Sequence, residues 1–592
     1  MSARDAVWFL GSQDAASWRQ VRRYAVPRTM IEASAARRAA GDWQGACAAA
    51  GFDVRVDLAK IAARYGTPVA DAVLDDLRDL VPDLLRWHLP RILAGRSTLA
   101  TDRTVLLAGY ASGADGPDAG SIAYLQLRTV PMVDGPQRIL LRVGPQRRRT
   151  ASGGIDDWRS LGHLWRASRA GELRERAGGA DRLPFLDADG SPLPAERLPD
   201  RDPGAADPVA RAEWLHLVYR EGRVADALAE AGIEWDATPP QMPSYYRTAP
   251  ETIVSALNLD LARLEAEVRR FAALGTAERF QIGQDWRARA VVDFTRRGLG
   301  GRMRIRIVDR EAAGSAPFLP EAVWRRPPDL ELLADGVVTP SELHPMVGEA
   351  LFPGHRGPFG PPGLTPPAPV RVRCRGDWHL VRFRDGVLDS PHSAQERQRE
   401  NALRAFGGAV TGCFAVEHAC RTGTGRLPKA LAAQRRDLFL RAQHGDTAGV
   451  VALLDAGVDP HLRDGGRHTL LHVLPLIDHT VLLPRLLKAG LDLEARDHRH
   501  RTPLSVAVSG RGSADLVRAL LDAGARTDVT DQTELSLEQM IRKYGRTDLR
   551  FLAERVLAAH PDIGAEWWDE WDDDEDENDD EDENDDEEGE DE

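Results

Sequence analysis

LLDAGVD at residues 453–459 returns as LLKAGLD at 486–492 and again as LLDAGAR at 520–526. The glycines of the three strings, Gly457, Gly490 and Gly524, stand 33 and 34 residues apart. Between them lie TLLH (Thr469 to His472) and TPLS (Thr502 to Ser505), again 33 apart. A fixed period of this length is the mark of one supersecondary unit stacked on copies of itself, each burying an apolar face that it could not bury alone. Everything else in the chain has to be read around that stack.

Each residue type in the period has a physical reason. The Thr and His stabilise the start of the first helix by local hydrogen bonding, and the leucines fill the seam between units. The glycine ends the second helix in a conformation that other residues adopt only at a cost. This pattern resembles the ankyrin repeat: TPLHxAA, a turn, a second helix ending LLxxGA, and a hairpin-like finger. The resemblance covers about 110 residues, from about 435 to 545, and implies an all-α solenoid that binds a protein partner. With the unit from Leu535 to Leu557, whose outer face is charged as a C-terminal cap requires, the predicted domain is 431–560. The middle repeat departs from the pattern. It has Leu470 in place of proline and carries Pro475 and Pro484 inside its expected helices, so a kinked or loosely held repeat is expected there.

The fingers carry Arg463, Arg467, His468, Arg496, His498, Arg499 and His500, the candidate partner-binding residues. His461, His468, His498 and His500, with Asp497, could also gather as zinc ligands. Polar tips or partner contacts are the preferred reading, and no metal site is assigned.

Upstream, GDWQGACAAAGF (Gly41 to Phe52) matches GRVADALAEAGI (Gly222 to Ile233) at an offset of 181, and LRDLVPDLLRW (Leu77 to Trp87) matches LARLEAEVRRF (Leu261 to Phe271) at 184. Each copy opens with apolar residues three and four apart and passes to alternating stretches, RILLRV (Arg138 to Val143) and RMRIRIV (Arg302 to Val308), that read as strands. The expected organisation is multidomain α+β. An α+β module at 1–200 and a second, duplicated one at 205–350 precede a Pro/Gly-rich linker at 351–370, an Arg-rich hairpin and long helix at 370–430, the repeats, and a disordered acidic tail at 561–592. Taken whole, the chain resembles ankyrin-repeat proteins of high-GC bacteria, in keeping with only four lysines among 77 basic residues.

In VRVRCRGDWHLVRFRDG the alternation of side chains sends Arg371, Arg373 and Arg375 to one side if Val370, Val372 and Cys374 face a core. A turn is expected at Gly376 and Asp377, with Arg382 and Arg384 joining the basic face, a candidate polyanion-binding surface. Arg147 to Arg149 and Arg302, Arg304 and Arg306 are weaker versions of the same feature. A continuous helix is expected from about Ser393 to Arg421.

Charge is segregated along the chain. Of a net −15, the stretch from Glu566 to the end supplies 21 acids in 27 positions, leaving 71 acids against 77 bases elsewhere. That tail has too little to bury to fold alone. Trp567, Trp568 and Trp571 at its start form a candidate docking peptide for a basic groove.

Several functions are excluded or left unsupported. No lysine follows a glycine, so there is no P-loop, and HExxH, GxSxG and kinase signatures are missing. The glycines at 298, 300 and 301 precede a strand rather than open a helix, which argues against a dinucleotide loop. Asp156, Asp157 and His163 can be drawn as an acid/base set, but any chain of this length offers such sets. No catalytic residue and no cofactor is assigned. Cys47, Cys374, Cys413 and Cys420 show no CxxC spacing and read as buried small hydrophobes. No apolar run could span a bilayer and no signal-peptide core opens the chain, so a cytoplasmic protein without membrane contact is expected. The reading that follows is a non-enzymatic scaffold or adaptor holding an unidentified protein on its repeats. Two alternatives stay open: a nucleic-acid or polyanion binder regulated by its acidic tail, and an enzyme in the N-terminal modules.

Overall fold

The computed structural model describes residues 12–93, 97–112, 120–130, 132, 135–146, 154–240, 249–283, 288–295, 302–408 and 410–565. The chain forms two compact units, one drawn from residues 1–133 and 138–363 and the other from 134–137 and 364–592. The glycines at 298, 300 and 301, Arg147 to Arg149, and the tail tryptophans Trp567, Trp568 and Trp571 lie outside the described residues.

The first unit contains two mixed sheets. One has the order β1-β4-β3-β2-β5, made of β1 (Phe52–Arg55), β2 (Arg103–Ala111), β3 (Ile122–Arg128), β4 (Ile139–Gly144) and β5 (Gly154–Asp157). The other has the order β6-β9-β8-β7, made of β6 (Glu234–Asp236), β7 (Arg279–Ile282), β8 (Ala288–Phe294) and β9 (Met303–Asp309). In both, the first strand runs parallel to the third strand after it, β1 with β4 and β6 with β9. β5 adds a second parallel pair with β2 in the first sheet, and the remaining pairs are antiparallel. A short helix, Trp43–Ala49 or Val224–Glu230, comes before the parallel strand, and an amphipathic one, Thr67–Asp79 or Leu261–Ala272, follows it. The matching segments Gly41 to Phe52 and Gly222 to Ile233 thus both lead into the parallel strand of a β1-β4-β3-β2 or β6-β9-β8-β7 order. Leu77 to Trp87, by contrast, spans the end of Thr67–Asp79 and helix Pro82–His88 rather than a single counterpart of Leu261–Ala272.

One hydrophobic core runs through both halves, from Trp18 to Phe352. It also encloses a paired charge. Arg22, on helix Ser12–Tyr24, donates to Asp329 at 2.6 Å and 3.1 Å and to the carbonyl of Trp87 at 2.8 Å. Trp87 donates its indole N–H to the same carboxylate at 3.1 Å, and the Arg22 guanidinium lies 4.5 Å from a Trp87 ring centroid. Two hydrogen bonds and an aromatic face thus replace the water that this ion pair gave up.

The second unit begins with a three-stranded sheet, β10 (Val370–Cys374), β11 (Asp377–Arg384) and β12 (Val387–Asp389), in that order. Its first turn differs by one residue from the sequence expectation. Cys374 pairs with Asp377, and the turn residues are Arg375 and Gly376, both with positive φ (52° and 98°), the geometry of a two-residue primed turn. The single helix expected over Ser393 to Arg421 is two, Ala394–Ala405 and Gly412–Thr422, broken where Gly407 and Gly412 take positive φ.

The repeats follow. The first pairs helices Lys429–Gln443 and Thr447–Asp455, and the third pairs Pro503–Ser509 and Ala514–Asp522. In the middle repeat Pro475 reduces the first helix to one 3₁₀ turn, Leu474–Leu476, whereas Pro484 sits inside a helix that still runs from His479 to Lys488. Helices Leu537–Lys543 and Arg550–Ala559 close the stack. Arg546 is buried between them and the third repeat and donates to the carbonyls of Ala507, Val508 and Gly512. Gly457 is demanded twice over. Its φ is +91°, and a Cβ there would stand 2.9 Å from the amide nitrogen of Asp385, where the β11–β12 turn rests on the first repeat.

Candidate functional site

The fingers are built by a hydrogen-bond scheme repeated from unit to unit. In the middle repeat, Thr469 donates from its backbone to Nδ1 of His472 at 3.1 Å, and Nε2 of His472 donates to the carbonyl of Arg501 in the next finger at 3.1 Å. Both ring nitrogens are used by the neutral tautomer, and burial pushes the imidazole down to about 4. Asp464 and Asp497 occupy the same place in successive fingers. Each accepts main-chain N–H groups across its own loop, Gly466 and His468 for Asp464, Arg499 and Arg501 for Asp497.

His468 joins the two loops. Its Nδ1 lies 2.9 Å from Asp464 and its Nε2 3.4 Å from Asp497. Burial opposes the charge, but the hydrogen bonds to the two carboxylates prevail and hold His468 up at about 9. Asp497 also takes Arg501 in a two-pronged pair, at 3.0 Å and 2.9 Å, and lies well below the usual carboxylate range despite its burial.

Arginines brace the outer edge. Arg463 donates to the carbonyl of Arg496 at 3.2 Å, and Arg496 in turn donates toward the carbonyl of Thr530 at 3.4 Å. His498 is tied to Gly466 through its backbone N–H and its ring, each at 3.0 Å. Of the seven finger residues singled out in the sequence, Arg463, His468, Arg496 and His498 are therefore structural members of the ridge. Arg467, Arg499 and His500 stand exposed at its tips, with Arg467 and His500 at positive φ. His461 is held by the carbonyl of Ala489 at 3.0 Å.

Residues 438–531 are ankyrin repeats. They match the family of ankyrin repeats (3 copies) over that range. Protein fem-1 homolog A of Danio rerio is 34% identical over 85 residues, 13% of this chain and 14% of its own. An ADP-ribosylation factor GTPase-activating protein of Arabidopsis thaliana is 39% identical over 77 residues, 13% of this chain and 10% of its own. An ankyrin repeat-containing protein of Schizosaccharomyces pombe is 29% identical over 109 residues, 18% of this chain and 51% of its own. The chain thus spans about half or less of the length of each, and the likeness is that of a protein-interaction domain. Among the described residues no helix is long and apolar enough to cross a membrane.

The arginine face ahead of the ankyrin repeats is less basic than its sequence. Arg371, Arg373, Arg382 and Arg384 do share one exposed side of β10 and β11, as the alternation requires. Arg375 is drawn off at the turn by Glu400 and Glu396, and Asp389 lies within 3.8 Å of both Arg382 and Arg384. Arg371 and Arg373 stack instead against Trp378, at 5.3 Å and 6.0 Å from its ring centroid. Trp378 and its neighbour Leu380 are 57% and 62% exposed, an apolar patch with two cations at its edge.

The opposite side of the same hairpin holds a group that the sequence reading passed over. Cys374, His379, His392 and Cys413 bring two sulfurs and two ring nitrogens within 4.8 Å of one another. Cys374 and Cys413 are buried, as expected of small hydrophobes, but each faces an imidazole rather than aliphatic carbon. Gaps of four, twelve and twenty residues match no short motif, so only the fold assembles them.

In the first unit, a cavity of about 360 Å³ is lined by Trp18, Arg91, Arg103, Asp156, His163 and Arg326, among others. Burial raises the Asp156 carboxyl, with Arg103 at 3.9 Å opposing the shift, and drives the His163 imidazole well down. Asp156 and His163 thus line one space, while Asp157 is committed to a bidentate pair with Arg159. Among the described residues no hydrogen bond joins Asp156 to His163.

Proposed function

We propose that this chain is a recognition protein whose ankyrin repeats hold a protein partner at the finger tips, with Arg467, Arg499 and His500 making the contacts. The observation that carries this reading is the division of labour along the ridge. Arg463, His468, Arg496 and His498 lock each finger to the next, leaving a rigid row of exposed cationic and imidazole side chains. Rigid presentation lowers the entropy lost on association, and arginine is favoured at interface centres. A partner with an acidic patch suits such a row.

Loading the full chain onto a matrix and comparing captured proteins with those held by an Arg467→Glu, Arg499→Glu, His500→Glu triple variant tests the idea. The variant is expected to lose a specific subset, and identical captures from both would overturn the proposal. The polyanion reading rests on a smaller surface than the alternation of the hairpin implied, since Arg375, Arg382 and Arg384 each have a carboxylate within 3.8 Å. The order that β1 to β4 share with β6 to β9 supports reading the first unit as a duplicated module serving as a structural body.

A further inference from the structure

We propose that Cys374, His379, His392 and Cys413 form a structural zinc site that fastens the N-terminal end of the ankyrin stack. The four residues come from four separate pieces of chain: the end of β10, the start of β11, the loop after β12, and the first turn of helix Gly412–Thr422.

The spacing of the donor atoms carries the inference. Sγ of Cys374 lies 3.5 Å from Nε2 of His392, Sγ of Cys413 lies 3.6 Å from Nδ1 of His379, and those two ring nitrogens are 3.1 Å apart. Tetrahedral zinc, with bonds of about 2.3 Å to sulfur and about 2.05 Å to nitrogen, sets donor separations of about 3.6 Å for nitrogen to sulfur and about 3.3 Å for nitrogen to nitrogen. The observed edges match these values to within a few tenths of an ångström. Two thiols and two imidazoles packed this way make poor hydrogen-bonding partners for each other, because thiols are weak donors and weak acceptors. They make a complete ligand set for a divalent cation that accepts sulfur and nitrogen.

The surroundings are those of a built site. Cys374 and Cys413 are each 2% exposed and His392 is 7% exposed. The Phe414 ring covers His392 with centroids 4.4 Å apart. Glu396 stands 3.8 Å from Nδ1 of His392, on the side away from the sulfur, where a carboxylate orients a metal-binding ring. Glu396 is itself fixed by its capping box with Ser393.

Gly412 makes room for the approach of the last ligand. Its φ is +62°, and a Cβ there would fall 2.5 Å from Sγ of Cys374. Only glycine lets the helix begin close enough to bring Cys413 in.

With four protein ligands the coordination sphere is closed, so the site is structural and not catalytic. Binding displaces one proton from each thiol and changes no oxidation state. The set ties hairpin and helix together where their core runs on into the first repeat, so the metal would act as a cap for the stack. The finger group His468, Asp497 and His498 is different in kind. There the His468 imidazolium already supplies the positive charge between two carboxylates.

The test uses the full chain expressed with zinc in the medium and measures metal content by mass spectrometry after extensive dialysis. About one zinc per chain is expected. Cobalt exchange should give the intense visible bands of a tetrahedral ion together with a thiolate charge-transfer band. A Cys374→Ser, Cys413→Ser double variant should lose the metal, while Cys420→Ser, a buried thiol on the same helix outside the cluster, should keep it. Should the double variant fail to fold, the wild-type stoichiometry and cobalt spectrum still decide. Folded wild-type protein without metal, a mass two hydrogens short from a Cys374–Cys413 disulfide, or metal retained by the double variant would each overturn the proposal.

Discussion

Arg463 donates a hydrogen bond to the main-chain carbonyl of Arg496, the residue that occupies its own position 33 residues later in the next finger. Arg496 repeats the gesture toward Thr530. The side chains that look most available for a partner in the sequence are thus spent in holding the ridge, and several consequences can be measured.

Arg496→Ala should loosen the second and third fingers while leaving the helices in place. The bonds are long and partly solvated, so a cost of about 1 kcal/mol is expected. Amide exchange at residues 496–501 should quicken, whereas exchange in helix Pro503–Ser509 should not change.

His468 sets a pH dependence. Its folded pKa of about 9 exceeds the ordinary value of 6.5, so the folded form holds the proton more tightly than the unfolded one. The stabilisation is complete below about 6.5, declines as pH rises from there to about 9, and is absent above. Thermal unfolding of the repeats across that window should show a falling midpoint, and His468→Gln should flatten the slope.

Pro484 costs stability where it stands. It is exposed, and it denies helix His479–Lys488 one backbone donor that would otherwise reach the carbonyl of Thr480. Pro484→Ala should therefore stabilise the middle repeat by about 1–3 kcal/mol, seen as slower amide exchange at residues 482–487.

Asp329→Ala should be far more damaging than any surface change in the first unit. It strands the buried Arg22 guanidinium and the Trp87 indole N–H without their acceptor, at about 3–5 kcal/mol. Loss of Trp87 burial in fluorescence, at denaturant levels that leave the wild type intact, would register it.

How much of this was legible beforehand depended on the range of the interactions. The repeat period, its glycines and its cap could be read because they are local and recur. Pro475 was rightly suspect, since a missing donor and a fixed φ act within one turn. The broken helix after Ser393 was less visible: apolar residues continued at helical spacing while Gly407 and Gly412 took left-handed backbone, which only their surroundings select. The Cys374, His379, His392 and Cys413 cluster could not be read from spacing at all, because its members meet through strand pairing and a helix packed on the sheet. The finger residues present the opposite case. Their identities were evident, but which of them brace the ridge and which face outward depends on carbonyls 33 residues away.

The central claim is recognition at the finger tips. Its most direct test is hydrogen–deuterium exchange of the full chain, free and bound to a partner captured by the wild type and lost by the tip variant. Protection confined to residues 464–468 and 497–501 is the result expected. Protection confined to the first unit or to the hairpin, with those fingers unchanged, would contradict it.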